Sequence, residues 1–237
     1  MGAFLVSGVH LLPIFDPRLI PIEAGHDELA AVGSDALMPE ALRGRFRAPP
    51  QWQPEMRGDR ARATQAATRP ASVLIAVVTH ADTPTVLLTQ RTAHLKHHSG
   101  QIAFPGGSAE EHDDGAIATA LREAHEEIGL SPERVEIIGS MPEYHTVTGY
   151  LVTPVVGLVA PGIALLPDPD EVAEIFEVPL GFLMDPRNHQ RRRIVLDAAE
   201  RTFFSMPYQP SAERDEYFIW GATAAMLRNL YRFLSAA

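Results

Sequence analysis

Residues 106–130 read GGSAEEHDDGAIATALREAHEEIGL, and their spacing predicts a glycine turn, an acidic loop and then an amphipathic helix. On a 3.6-residue period Glu123, Glu126 and Glu127 fall at i, i+3 and i+4, so their carboxylates converge within one turn. Like charges this close destabilise an isolated helix and raise one another's pKa. The opposite face carries Ile117, Ala120, Leu121, Ala124 and Ile128, a continuous apolar stripe that would anchor the helix to a core. Asp114 is placed to cap its start, and Gly129 to end it in the left-handed conformation. A bare Glu-Glu pair would read as a solvated face. An anchored helix with a self-repelling acidic cluster has use for something strongly positive between the carboxylates. Hard divalent cations take oxygen ligands of this kind, commonly with substrate phosphates and water. The chemistry expected is therefore metal-assisted and directed at a phosphate-bearing substrate.

Gly106-Gly107 followed by Arg122-Glu123-Ala124-His125-Glu126-Glu127-Ile128-Gly129-Leu130 resembles the signature of the Nudix hydrolases. That signature runs Gly, five residues, Glu, seven residues, Arg-Glu-apolar-any-Glu-Glu-any-Gly-apolar. The second half fits at every position. In the first half, the sixth residue after Gly107 is Asp113, whereas counting back from Arg122 puts the expected acid at Asp114. The loop has one residue more than the pattern and an aspartate in place of glutamate, which leaves the roles of Asp113 and Asp114 open. Upstream, Leu87-Leu88-Thr89-Gln90-Arg91-Thr92, Gly100 and Phe104 to Gly107 resemble the motif LLTxR[SA]xxxRxxxGxxxFPGG of the coenzyme A pyrophosphatase branch. Thr92 stands where that branch has Ser or Ala, and Lys96 where it has Arg. Lysine keeps the charge but lacks the planar fork that grips phosphate with two hydrogen bonds.

The resemblance implies an α/β (α+β) fold, a Nudix-type α/β/α sandwich with a mixed sheet between helices. It implies Glu126 and Glu127 as principal ligands of Mg²⁺ or Mn²⁺, Glu123 as a further ligand or as the group that orients water, and the Gly107 carbonyl as another ligand. Arg122 is expected to pair with a carboxylate of the motif and hold its geometry. The implied reaction is hydrolysis of the pyrophosphate bond of coenzyme A or acyl-CoA to 3′,5′-ADP and 4′-phosphopantetheine. The alternatives are another nucleoside diphosphate derivative (NADH, ADP-ribose, a nucleoside triphosphate) or a non-catalytic nucleotide-binding module. Nudix enzymes do not all draw the general base from one place, so Glu143, Glu171 and Glu174 stay open for that role, and Tyr144, His145 and Tyr150 as substrate neighbours.

Residues 91–98 hold two cations and three histidines without an acid, in a chain of formal charge −10. A local basic patch would offset long-range repulsion of an anionic substrate. Arg91, Lys96 and His98 are accordingly expected to bind substrate, in particular a phosphate separate from the pyrophosphate.

Contents of 46% hydrophobic and 21% charged residues over 237 positions are those of an ordinary globular protein able to bury a substantial core. The absence of cysteine excludes disulfides, thiolate metal sites and a cysteine nucleophile. The apolar N-terminus lacks a basic n-region and is interrupted at His10 and Pro13, so a cytoplasmic protein is expected, with neither membrane nor nucleic acid as partner. A homodimer is the default oligomer.

Two parts are expected: an N-terminal extension over 1–70, packing through Phe4, Leu11, Leu12, Phe15 and Trp52, and the hydrolase domain over 71–237. A short helix is expected at 38–46, and strands at 72–78, 85–89, 135–140, 150–159 with Pro154 marking a bulge or edge, in EIFEV, at 191–196 and at 202–204. The C-terminal GATAAMLRNLYRFL reads as a helix with Thr223, Met226, Leu227, Leu230, Tyr231 and Leu234 on its buried face and Arg228 and Arg232 outside it.

Overall fold

The computed structural model describes residues 16–23, 29–58, 68–92, 100–196 and 199–237. Its helices are α1 (Pro39–Arg47), α2 (Gly115–Ile128), α3 (Leu180–Leu183) and α4 (Gly221–Ser235). Its strands are β1 (Arg69–Val78), β2 (Thr85–Arg91), β3 (Ile102–Ala103), β4 (Gly106–Ser108), β5 (Val135–Ser140), β6 (Tyr144–His145), β7 (Tyr150–Val159), β8 (Val172–Pro179), β9 (Gln190–Leu196), β10 (Ala199–Tyr208) and β11 (Tyr217–Trp220).

An eight-stranded mixed sheet runs β3-β2-β1-β7-β5, with β4 paired to β1, β6 to β7 and β8 to β2. Its spine is the parallel pair β1–β7, in register from Arg69↔Tyr150 to Val78↔Val159. Both strands are near-continuous apolar runs because both faces of the sheet are covered. Leu74, Ala76 and Val78 pack under α2, while Ile75 and Val77 alternate into the cluster that holds Leu227, Leu230 and Phe233 of α4. Helices on both faces of a mixed sheet give the expected sandwich. A second, antiparallel sheet, β11-β10-β9, carries α4 at its end.

Pro154 is neither at an edge nor in a bulge. It lies in β7, at the centre of the sheet, paired with Val73 of β1 on one side. On the other side it falls where β5 ends and β6 begins, and its carbonyl accepts from the Met141 N–H at 2.8 Å. The bulge is in the neighbouring β5, between Ile137 and Gly139. A proline is tolerated in an inner strand where the ladder beside it changes partner.

The C-terminal helix is buried on more of its circumference than its apolar period predicts. Arg228, expected outside the buried face, is 2% exposed. Its Nε donates to Glu55 Oε2 at 2.8 Å, its Nη1 faces His189 Nδ1 at 3.3 Å, and its guanidinium lies over the rings of Phe204 and Tyr231. His189 Nε2 in turn lies 2.7 Å from the Leu183 carbonyl. The covering layer is the segment before β1: Phe46 and Trp52 pack on Phe233, Asn229 bonds the backbone of Met56 in both directions, and the Tyr231 hydroxyl donates to the Ala30 carbonyl. Phe4, Leu11, Leu12 and Phe15 lie outside the described residues. No described helix is long and apolar enough to cross a membrane.

Removing one member of a buried ion pair leaves charge and volume uncompensated. Arg228→Ala should therefore lower the unfolding free energy in urea by about 3 kcal/mol, and Arg228→Met, of similar volume, by less.

Candidate active site

The site begins where glycine is indispensable. Gly106 and Gly107 do not form the expected turn; they are β4, paired antiparallel with Val73 and Ser72 of β1. At Gly106 (φ +155°) a Cβ would stand 2.3 Å from the Ser72 carbonyl oxygen and 2.6 Å from Val73 Cα, both backbone atoms. A Cβ on Gly107 would meet the Glu123 carboxylate at 2.5 Å. Two adjacent residues without side chains thus let the strand lie against β1 on one side and the helix carboxylates on the other.

The helix α2 follows, docked by Ala116, Ala120, Ala124 and Ile128 on an i, i+4 line. That line rotates Ile117 to solvent at 44% exposure, contrary to its expected place in the stripe. Gly129 ends the helix in the left-handed conformation (φ 67°), as its position predicts, with its N–H donating to the His125 carbonyl at 2.9 Å.

Asp114 precedes the helix but makes no side-chain cap. The acid with a job is Asp113. Its two oxygens accept from Arg122 Nε and Nη2, both at 2.9 Å, and Oδ2 also accepts from the Glu110 N–H at 2.9 Å and the Thr119 hydroxyl at 3.0 Å. These bonds, the Arg122 guanidinium foremost, hold the Asp113 carboxyl far below the usual carboxylate range. Arg122 also donates to the Ser108 carbonyl at 2.9 Å and to Glu126 Oε2 at 2.8 Å, and stands 3.1 Å from Glu123 Oε1. It clasps strand, loop and helix together, with Asp113 as its chief partner.

Glu127 is the deepest of the three glutamates, 5% exposed. It accepts from the Gly106 N–H at 3.2 Å and faces Arg91 Nη1 at 3.5 Å. Burial pushes its pKa up to about 7, aided by the charges of Glu171 and Glu123 and opposed by the Gly106 N–H and Arg91. Burial likewise raises Glu123, against the pull of Arg122. Glu126 is exposed and turned to Arg122, and among the described residues no three His, Asp or Glu side chains form a ready-made cation site.

Of the loop acids left open, Glu171 is the one brought to this cluster. The loop that carries it is pinned to the end of β2 by the Thr92 N–H to the Glu171 carbonyl (3.0 Å) and the Thr92 hydroxyl to the Asp170 carbonyl (3.2 Å). Arg91 Nη2 lies 3.8 Å from its carboxylate. A register shift between Gln90 and Arg91 in the β2–β8 pair marks the point where Arg91 leaves the ladder. Glu174 instead accepts from the Tyr217 hydroxyl at 2.8 Å, and Glu143 is exposed between β5 and β6. Tyr144 and Tyr150 line a cleft of about 940 Å³ that starts at Gly106–Ser108, with Arg91 also on its wall. Lys96 and His98 lie outside the described residues.

A carboxyl whose pKa is raised by folding binds more protons folded than unfolded. Without metal, Glu127 therefore costs stability progressively as pH rises from about 4.5 to about 7, and the cost stays in full above that. His189, held down to about 4 by burial, acts with opposite sign, its cost growing as pH falls below about 6.5. In chelator, Glu127→Gln should raise the melting temperature at pH 8 by a few degrees and leave it nearly unchanged at pH 4.5. The difference between variant and wild-type melting curves isolates Glu127 from His189.

Residues 68–199 match the model of the NUDIX domain. Over 171 residues the chain is 43% identical to the uncharacterized Nudix hydrolase NudL of Pectobacterium atrosepticum, covering 68% of this chain and 81% of that protein. Over 162 residues it is 44% identical to the NudL of Escherichia coli K12, with the same shares. Among solved structures, a MutT/nudix family protein from Enterococcus faecalis is similar at 19% identity and a TM-score of 0.43, covering 77% of this chain and 64% of that one. With the family model spanning more than half of the chain, and relatives this similar over four-fifths of their own length, the chain belongs to the Nudix hydrolase family.

Proposed function

We propose that this Nudix hydrolase cleaves the pyrophosphate bond of coenzyme A or acyl-CoA, releasing 3′,5′-ADP and (acyl-)4′-phosphopantetheine. The observation that carries the reading is the contact of Arg91 with Glu127 and Glu171. It brings the arginine of the upstream LLTQR motif against the most buried glutamate of α2, so that the two motifs make one site.

The donor set is all oxygen: the carboxylates of Glu123, Glu126 and Glu127 and the Gly107 carbonyl. It suits a hard divalent ion such as Mg²⁺ or Mn²⁺. Glu123 and Glu127, raised by burial, are groups whose charge a cation would compensate. When bound, such an ion lowers the pKa of water and neutralises charge on the leaving phosphate. Arg122 fixes the helix carboxylates relative to Ser108. Arg91 at the cleft wall orients the diphosphate with its planar fork. Glu171, tied down through Thr92 and adjacent to Arg91, is the acid best placed to take the proton of the attacking water.

Mass spectrometry of products from an equimolar mixture of coenzyme A, 3′-dephospho-CoA, NADH and ADP-ribose with Mg²⁺ tests the reading. Coenzyme A should be consumed first. Equal consumption of 3′-dephospho-CoA or ADP-ribose would move the reading to another nucleoside diphosphate derivative. Glu126→Gln should abolish turnover. Asp113→Asn, which loosens the clasp without touching the reacting groups, should lower kcat by about 10–100-fold, the range for residues that support a metal's ligands.

A further inference from the structure

We propose that Asp168 is a positioning residue: it ties the turn that carries Glu171 to the end of α2, and so sets where Glu171 stands relative to Glu127. The inference rests on the proposed role of Glu171 in taking the proton of the attacking water, and concerns how the chain holds that carboxylate. Glu171 is exposed and comes just before β8, so its place depends on the backbone that carries it.

The Asp168 N–H donates to the Glu127 carbonyl at 2.9 Å, and two residues earlier the Leu166 N–H donates to the Ile128 carbonyl at 3.0 Å. Both acceptors belong to the last turn of α2, where helix carbonyls have no partner within the helix. From there Asp168 starts a turn of its own. Its carbonyl accepts from the N–H groups of Glu171 at 3.1 Å and Val172 at 2.8 Å, and its Oδ1 accepts from the Asp170 N–H at 2.9 Å. Asp168 at the first position and Pro169 at the second are residues that such a turn prefers: the aspartate bonds the backbone two residues on, and the proline fixes φ. One residue therefore holds the helix on one side and three consecutive N–H groups on the other, with that of Glu171 in the middle.

The contacts close into a ring. It runs from the Glu127 carbonyl through Asp168 to Glu171, from the Glu171 carboxylate to Arg91 Nη2 at 3.8 Å, and from Arg91 Nη1 back to the Glu127 carboxylate at 3.5 Å. Thr92, next to Arg91, bonds the same turn at the carbonyls of Asp170 and Glu171. The ladder between β2 and β8 takes over at Arg91↔Val172, one residue further on. The ring thus passes through the backbone of the residue that bears one of the two acids. When the end of α2 shifts, Asp168 shifts with it, and the relation between Glu127 and Glu171 is kept. Placement of this kind matters, because an error of about 1 Å at a reacting group can cost roughly a hundredfold in rate.

Hydrogen exchange of the full-length protein in chelator reads the tie without turnover. Asp168→Ala should speed exchange of the amides at 170–172 by up to about tenfold, the worth of one hydrogen bond. Asp168→Asn, whose side-chain carbonyl accepts the same bond, should stay near wild type. Kinetics with Mg²⁺ and coenzyme A, or ADP-ribose if coenzyme A is not consumed, read the consequence. Asp168→Ala should lower kcat about tenfold with KM little changed, and Asp168→Asn should restore it. Added to Glu171→Gln, Asp168→Ala should cost nothing further, because the two residues act as a unit; a mere loss of folded enzyme would lower both backgrounds alike. Thr92→Val, which removes the other side-chain bond to the turn, repeats the cycle if Asp168→Ala fails to fold. Exchange unchanged by Asp168→Ala, or losses that add to that of Glu171→Gln, would overturn the assignment. Full activity in Glu171→Gln would instead overturn the proton-accepting role of Glu171, and leave Asp168 a structural tie only.

Discussion

Everything at this site depends on how one guanidinium spends its five N–H groups. Arg122 reaches back across the acidic loop to Asp113 with a two-pronged bond, to the Ser108 carbonyl with one arm and to Glu126 with the other. The end of β4, the loop and the middle of α2 are thereby joined at a single point. A lysine could meet any one of these partners but not the set, because its ammonium has no fixed fork. Asp113 completes the joint by accepting from Glu110 and Thr119, so the loop closes on the helix and not on solvent.

Against that joint, Glu127 is a deliberate weakness. It is buried beside two other acids, with one backbone N–H and one distant arginine to balance it. A protein optimised only for stability would put an apolar residue there. Strained electrostatics of this kind concentrate where a ligand is meant to relieve them. The surrounding structure can carry the cost because α2 rests on a small-residue line, Ala116, Ala120 and Ala124, that brings the helix close to a sheet buried on both faces.

Much of this was legible in the chain. Periodicity located α2 and its three glutamates, the glycine after Ile128 marked its end, and β-branched runs marked the long central strands. The misreadings share a cause: they turn on what lies across the fold. Ile117 has the right spacing for the buried stripe, but the sheet meets the helix along a neighbouring line. Arg228 has the wrong chemistry for a core, yet Glu55, far away in the chain, makes burial tolerable. The choice between Asp113 and Asp114 was made by the reach of Arg122, and Pro154 sits in an inner strand because the strand beside it happens to stop there. The Gly-Gly pair looked like a turn since glycine permits one; only the proximity of β1 shows that absence of a side chain, more than freedom of rotation, is what the position requires.

The pairing of Glu55 with Arg228 links residues 173 positions apart. A nascent chain would have its sheet spine, its acidic helix and all three glutamates outside the ribosome well before α4 is made, and contacts of such separation form late. The Glu55–Met56 segment of the cleft lining is held by Arg228, Asn229 and Arg232 of α4, and so gains these bonds only when that helix is made. A chain cut before α4 would carry the three glutamates of α2 while Glu55 and Met56 lacked the side chains that anchor them.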